Sequence, residues 1–154
     1  MGLPPFQAFL DAHRHEVHRF LVAAVGGDDA DDCFQETFIA ALRGYRRLPA
    51  DSNLRAWVLT IAHRKAIDAH RARRRRPAPV DELPDTGADP APDHDEALWA
   101  AVRRLAPRQR AAVLHRFVND LPYRAIGDVM GCTEQAARRS VHDGLARLRE
   151  AWRP

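Results

Sequence analysis

Residues 121–142 read Leu121-Pro122-Tyr123-Arg124-Ala125-Ile126-Gly127-Asp128-Val129-Met130-Gly131-Cys132-Thr133-Glu134-Gln135-Ala136-Ala137-Arg138-Arg139-Ser140-Val141-His142. Tyr123, Ile126, Val129 and Met130 recur at helical spacing, and so do Val141, Leu145, Leu148 and Trp152 beyond them. Gly131-Cys132-Thr133 separates the two runs. Glycine tolerates the left-handed turn conformation, and a threonine hydroxyl can cap the helix that follows. Small Ala125 and Gly127 allow the two helices to cross closely. The spacing predicts helices over roughly Pro122–Met130 and Thr133–Trp152, joined as a helix-turn-helix whose second member offers its first turns to the DNA major groove. Gln135, Arg138, Arg139 and His142 lie off the apolar stripe and can face DNA, where arginine reads guanine or binds phosphate. The plainer alternative is a helical hairpin with a solvated basic face.

Working outward, every other periodic segment is also helical. Phe6, Phe9, Leu10, Val17, Phe20, Leu21 and Ala24 form one stripe, opened by Pro4 or Pro5 and closed by Gly26-Gly27. Asp28 or Asp29 can cap a second helix with the apolar face Phe34, Phe38, Ala41, Leu42 and Tyr45. After the loop Leu48–Asn53, a third helix points Leu54, Trp57, Val58, Ile61 and Ala62 inward and ends in Arg71 and Arg73 to Arg76. Leu98, Trp99, Val102 and Leu105, then Val113, Leu114 and Phe117, restore the helical period further on. No strand-like alternation of useful length occurs, so the expected class is all-α: two small helical domains joined by a flexible acidic linker.

The charge distribution supports that division. The net charge of +3 conceals a balance of +4 over residues 1–76, −7 over 77–96 and +6 over 97–154. The middle segment holds five prolines between Pro77 and Pro92 and no arginine or lysine, which is linker composition. Two basic bodies on an acidic strap suit two contacts with a polyanion, and equally two solvated arginine-rich surfaces. Cys33 and Cys132, the only cysteines, lack a metal-ligand spacing and suit buried, unpaired thiols in a reducing compartment. Met1–Phe6 lacks the layout of a signal peptide and no apolar run reaches membrane-spanning length, so a cytoplasmic location away from membranes is expected.

The most specific stretch is Ala30-Asp31-Asp32-Cys33-Phe34-Gln35-Glu36-Thr37-Phe38-Ile39. One helical turn separates Asp32 from Gln35 and Glu36, so the three project together. This run resembles the polymerase-binding signature of the extracytoplasmic function sigma factors of the sigma-70 family. Arg55–Asp68, reading Arg-Ala-Trp-Val-Leu-Thr-Ile-Ala-His-Arg-Lys-Ala-Ile-Asp, is similar to the family's −10 element helix with its basic tail. Leu105-Ala106-Pro107-Arg108-Gln109-Arg110 resembles the opening of its C-terminal domain, and Leu121–Gly127 its Leu-Ser-Tyr-x-Glu-Ile-Ala segment. Four matches in order, split by a linker in the expected place, cover nearly the whole chain.

The resemblance implies a factor that binds core RNA polymerase and directs promoter-specific initiation. Residues 1–76 would form a region 2-like domain and 97–154 a region 4-like one. Asp32, Gln35 and Glu36 would grip the β′ clamp helices, and the C-terminal domain the β flap. Asn53 and its loop, with His63, Arg64, Lys65, Arg71, Arg73 and Arg74, would engage the −10 element; Thr133, Gln135, Arg138, Arg139 and His142 would meet the −35 element. Trp57 fits the core better than a stacking role, given its spacing with Val58 and Ile61. The linker acids could imitate RNA in the polymerase exit path, or serve only as a tether. His142 and Asp143 stand where the family often has an aromatic and an arginine; Asp143 would repel a phosphate, accept from a cytosine amino group, or pair with Arg139. The family is often held by an anti-sigma factor that masks its polymerase- and DNA-binding faces.

Two rival functions are weaker. A stand-alone helix-turn-helix regulator leaves the Asp32–Glu36 run unused. For an enzyme, His13, His15 and His18 lack a nucleophile, a glycine-rich phosphate loop or a His-Glu metal motif beside them, so neither catalysis nor a cofactor or metal is expected.

Overall fold

The structure, a computed structural model, describes residues 2–75 and 94–151. Among them are seven helices and no strand: α1 (Phe6–Val25), α2 (Gly27–Tyr45), α3 (Leu54–Arg75), α4 (His94–Arg103), α5 (Pro107–Phe117), α6 (Tyr123–Met130) and α7 (Glu134–Ala151). The all-α class and the element order follow the periodicity. Most of the strap, and Trp152, lie outside the described residues.

Helices α1, α2 and α3 form a three-helix unit around aromatic side chains. Phe9 is buried and lies 5.1 Å from the Tyr45 ring, 5.8 Å from Trp57 and 6.2 Å from Phe38, at the tilted angles aromatic pairs prefer. Trp57 is thus a packing residue, as its spacing suggests. Tyr45 donates its hydroxyl to the Pro4 carbonyl, tying the start of the chain to the end of α2. Full burial of Phe9, Phe20, Leu21 and Leu59 contributes about 1.5–3 kcal/mol apiece.

Local details differ from the expected pattern. Gly26 stands at the end of α1 and also at the N-cap of α2, so Asp28 and Asp29 lie inside the first turn and act on the helix dipole rather than as caps. Leu42 is not on the inner face: it is 57% exposed, whereas Phe38, Ala41 and Tyr45 are buried. Phe117, expected inward with Leu114, is 60% exposed at the last residue of α5.

The second unit is built on the turn. Thr133 Oγ1 accepts from the Ala136 amide at 3.0 Å, the expected cap. Gly131 adopts φ 71°, ψ 37°, and the Cys132 amide reaches back to the Gly127 carbonyl at 2.9 Å, closing α6. Ile126, Val129, Ala137 and Val141 fill the space between α6 and α7, and α5 lies across them.

The charge pattern suggested two separate bodies, yet the two units share one apolar core. α6 lies on α3, and α4 and α5 lie on α1. His115 of α5 is fully buried, stacked on Phe20 of α1 with ring centroids 4.5 Å apart and planes at 18°. Arg110 donates to the Ala24 carbonyl at 2.7 Å. Arg55 donates to Glu16 of α1 at 2.6 and 2.8 Å and to the Asn119 carbonyl beyond α5. None of these contacts has a sequence period, which is why helical spacing does not reveal them.

Candidate nucleic-acid and polymerase interface

Helix α2 buries Ala30, Cys33, Thr37, Phe38 and Ala41 against the bundle. That packing turns Asp32, Gln35 and Glu36 together to solvent, as the spacing requires. Ile39 and Leu42 continue the same face, 50% and 57% exposed. Sequence reasoning missed both: Leu42 falls at helical spacing from Phe38 and Tyr45 and reads as inward, and Ile39 enters only as the end of the Ala30–Ile39 run. Large apolar side chains open to water beside a polar cluster mark a surface made for covering. Among the described residues Leu98, Trp99 and Phe117 are the other large exposed apolar ones; Trp99 and Phe117 border a groove of about 820 Å³ with Val22, Arg19 and Arg103.

Helix α3 divides the expected −10 residues between two sides. His63, Arg64 and Arg71 line a cavity of about 260 Å³ whose far wall is Asp128, Val129, Met130 and Gly131. His70, Arg71 and Arg74 line a second, of about 490 Å³, closed by Arg108, Gln109, Ser140 and Asp143. Lys65 and Arg73 face the other way. They line a cleft with Asp29, Asp32 and Glu36, and Arg73 pairs with Asp29 at 3.4 Å. Asn53 lies apart from both groups at the head of α3, exposed, with its Oδ1 accepting from the Ala56 amide at 3.1 Å as an N-terminal cap.

His63 is buried, not open to a ligand. Its Nδ1 lies 3.4 Å from His115 Nε2, and the Asn119 amide nitrogen lies 3.1 Å from His115 Nδ1. If the Asn119 amide donates, His115 carries its proton on Nε2 and donates onward to His63. Burial pushes His63 down to about 4, with Arg108 and Arg64 adding to the shift. It pushes His115 down to about 3, with His63 adding. Both rings are therefore neutral at pH 7. In the unfolded chain each would protonate near pH 6.5, so stability is complete above that value and falls with acidification as the packed rings refuse protons that unfolded ones accept. Each ring contributes up to about 1.4 kcal/mol per pH unit in that window. Thermal melts at pH 7 and pH 5 should therefore show a loss of a few kcal/mol, and His115→Gln should flatten that dependence. Melts of equal pH dependence in the two proteins would contradict this assignment.

Thr133, just before α7, and Gln135, Arg138, Arg139 and His142 on it are all exposed, the last four along one side of the helix. Arg138 lies over the Tyr123 ring at 4.4 Å and within 3.5 Å of Glu134. Arg139 pairs with Asp143 at 4.0 Å, which supports the pairing role among the three considered for Asp143. Exposed ion pairs of this kind are worth little, so both arginines can be recruited by a phosphate.

Cys33 is buried and its thiol is pushed up to about 11, chiefly by burial, with Glu36, Asp29 and Asp32 adding; such a thiol is unreactive. Among the described residues no group of histidine, cysteine or carboxylate side chains is placed to hold a metal ion, and no helix is long and apolar enough to cross a membrane.

Residues 9–76 match the family model for Sigma-70 region 2, and residues 95–148 that for Sigma-70, region 4. The RNA polymerase sigma factor CarQ of Myxococcus xanthus is 30% identical over 155 residues, covering 94% of this chain and 87% of that protein. The ECF RNA polymerase sigma factor SigG of Mycobacterium tuberculosis is 27% identical over 175 residues; the alignment covers 93% of this chain and 47% of that longer protein. Among solved structures, the sigma factor RpoE in complex with the anti-sigma factor NepR from Bartonella quintana shares the fold, with a TM-score of 0.76 at 22% identity over 95% of each chain.

Proposed function

This chain belongs to the sigma-70 family, in its extracytoplasmic function group, and serves promoter-specific transcription initiation; from that premise we propose how its surfaces divide the work. Asp32, Gln35, Glu36, Ile39 and Leu42 dock on the β′ clamp helices of core RNA polymerase. The observation that carries this reading is the alignment of two exposed apolar side chains with three exposed polar ones on a single face of α2. An apolar centre with a polar margin is the composition of a specific protein interface. Leu98, Trp99 and Phe117 offer a second apolar contact, to the β flap.

Asn53, Arg64, Arg71 and Arg74 serve the opened −10 strand, whereas His63, packed against His115, holds α3 in place instead of touching DNA. Lys65 and Arg73, turned toward the acids of α2, act there on α2 rather than on DNA. Thr133, Gln135, Arg138, Arg139 and His142 enter the major groove of the −35 element. The domain limits stay at 1–76 and 97–154, with 77–96 as the linker between them. Selection then rests on binding alone: polymerase supplies the chemistry, and this chain lowers the free energy of the melted promoter only where both elements match. The family is not enzymatic, and none of these roles asks for a reacting group. A cytoplasmic location follows from the partner. An anti-sigma factor is a further partner, as NepR is of its RpoE relative.

The test is abortive transcription by core polymerase with this protein on a promoter library. Initiation above the level of core enzyme alone is expected, concentrated on a subset sharing two elements. Folded protein that adds nothing to core enzyme would refute the reading, leaving a duplex-DNA regulator that uses only α7.

A further inference from the structure

We propose that the cavity where α3, the start of α5 and α7 converge is a binding site for a small diphosphate, either free or carried by a nucleoside. The site shares only Arg71 and Arg74 with the promoter surfaces assigned above, and its occupancy can be measured without polymerase or DNA.

The lining concentrates positive charge from both units of the chain. Ile67, His70, Arg71 and Arg74 recur at helical spacing, so one stripe of α3 turns them together to the cavity. Arg108, in the first turn of α5, stands on the other wall. Asp143 of α7 is the one acid among the described lining residues, so three guanidiniums against one carboxylate leave a balance of +2. Asp143 also pairs with Arg139, which lies outside the lining. Among the described residues none of the three arginines is in an ion pair, whereas Arg55, Arg73, Arg138 and Arg139 are. His70 senses the same field. Burial, then Arg110, Arg74 and Arg73, push it below its ordinary value, every charge acting on it being a cation. Its ring is therefore neutral at pH 7 and leaves the balance as it stands. Like charges gathered at one place repel, and an anion that bridges them removes that cost.

The dimensions and the donors select among anions. The cavity holds about 490 Å³, inside the range of about 300–1,000 Å³ typical of small-molecule sites. A guanidinium fork binds phosphate oxygens two at a time. Two such forks on α3 and one on α5 offer more positions than a single phosphate fills, and a diphosphate reaches both walls. At the α5 wall Ala106 supplies no side-chain cap and no acid stands in the first turn, so the Arg108 and Gln109 amides add donors at the positive end of the helix. Ile67 and Pro107 give the apolar contact that a nucleoside would use.

Isothermal titration calorimetry of inorganic pyrophosphate and of ADP into the 154-residue chain at low salt reads the site directly. One saturable site per chain is expected, with an affinity that falls as salt is added, because the three arginines are exposed. Arg108→Gln should weaken binding by about tenfold or more. Asp143→Asn, which removes the acid from the lining, should strengthen it severalfold. Arg124→Gln, the same loss of charge at an exposed position outside the cavity, should leave it unchanged. ADP binding as tightly as pyrophosphate, with adenosine silent, assigns the diphosphate of a nucleotide; binding of pyrophosphate alone assigns the free anion. Folded wild-type protein that binds neither overturns the proposal. So does equal weakening by Arg108→Gln and Arg124→Gln. Sulfate binding as tightly as pyrophosphate at equal ionic strength overturns it too, since that would mean an adventitious ion only. Should Arg108→Gln lose helix content by circular dichroism, Asp143→Asn decides: no gain in affinity there overturns the proposal.

Discussion

Replacing Ile39 and Leu42 together by aspartate is expected to weaken binding to core RNA polymerase by at least two orders of magnitude while leaving the fold intact. Both side chains are at least half exposed, so their loss removes little packing, and surface changes of this kind stay within about 0.5 kcal/mol each. In a covered interface the same two positions pass from apolar contacts to buried, unpaired carboxylates. Anchors of that type cost about 2 kcal/mol or more when lost, and each 1.4 kcal/mol is about tenfold in affinity. Titration of labelled core polymerase, with a thermal melt of the free variant beside it, reads both effects. Full-strength core binding by the variant would exclude α2 as the docking face. A drop in melting temperature with no loss of affinity would mean the two residues serve the fold. Adding Glu36→Lys should deepen the loss and make it sensitive to salt, since charge at an interface margin acts on encounter more than on packing.

Gly127→Ala is expected to cost more stability than alanine at any other glycine among the described residues. A Cβ at residue 127 would lie 2.7 Å from the Cys132 carbonyl oxygen, 3.2 Å from the Thr133 carbonyl carbon and 3.3 Å from the Glu134 amide nitrogen. All three are backbone atoms of the turn, and Gly131 with its positive φ leaves that turn no alternative path. Alanine's better helix propensity returns about 1 kcal/mol, whereas an overpacked site costs about 1–3 kcal/mol and more where nothing can yield. The net is a loss of about 2 kcal/mol or more, concentrated in α6 and α7. Gly144→Ala makes an instructive control. Its new methyl would meet Cγ2 of buried Val113 at 2.7 Å and the Gln109 carbonyl oxygen at 3.4 Å, so it is costly too, but one side chain, not three backbone atoms, has to give way. Chemical denaturation of both variants should rank Gly127→Ala well below Gly144→Ala, and duplex binding through Arg138 and Arg139 should fail only in the former. Equal stabilities would mean that the turn is looser than its hydrogen bonds indicate.

The sequence alone determined a good deal here, because some features are properties of short stretches. A period of 3.6 residues needs only the order of apolar and polar side chains, so all seven helices and the all-α class were legible in it. The Gly131-Cys132-Thr133 turn was equally so, since its conformation and its cap depend on the residues themselves. Asp32, Gln35 and Glu36 share a face by helical geometry alone, whatever surrounds them. Trp57 was placed in the core by its neighbours on the same helix.

What only the tertiary structure decided is which side of each helix is covered, and by what. Leu42 and Phe117 have apolar side chains at nearly inward positions, yet Leu42 sits on the side of α2 turned from the bundle, between buried Ala41 and Tyr45, and Phe117 ends α5 at the surface. Lys65 and His63 are two residues apart and point to opposite neighbours, one to the acids of α2 and the other to a buried imidazole of α5. His115 and Asn119 carry no motif at all and sit at the centre of the contact between the units. Periodicity records how one segment meets its own axis; burial and pKa arise from pairs of segments far apart in the chain, which no local pattern encodes. Net charge suggested that the two basic units would stand apart, but over these distances in water such repulsion is heavily screened, and the apolar seam around Phe20 outweighs it.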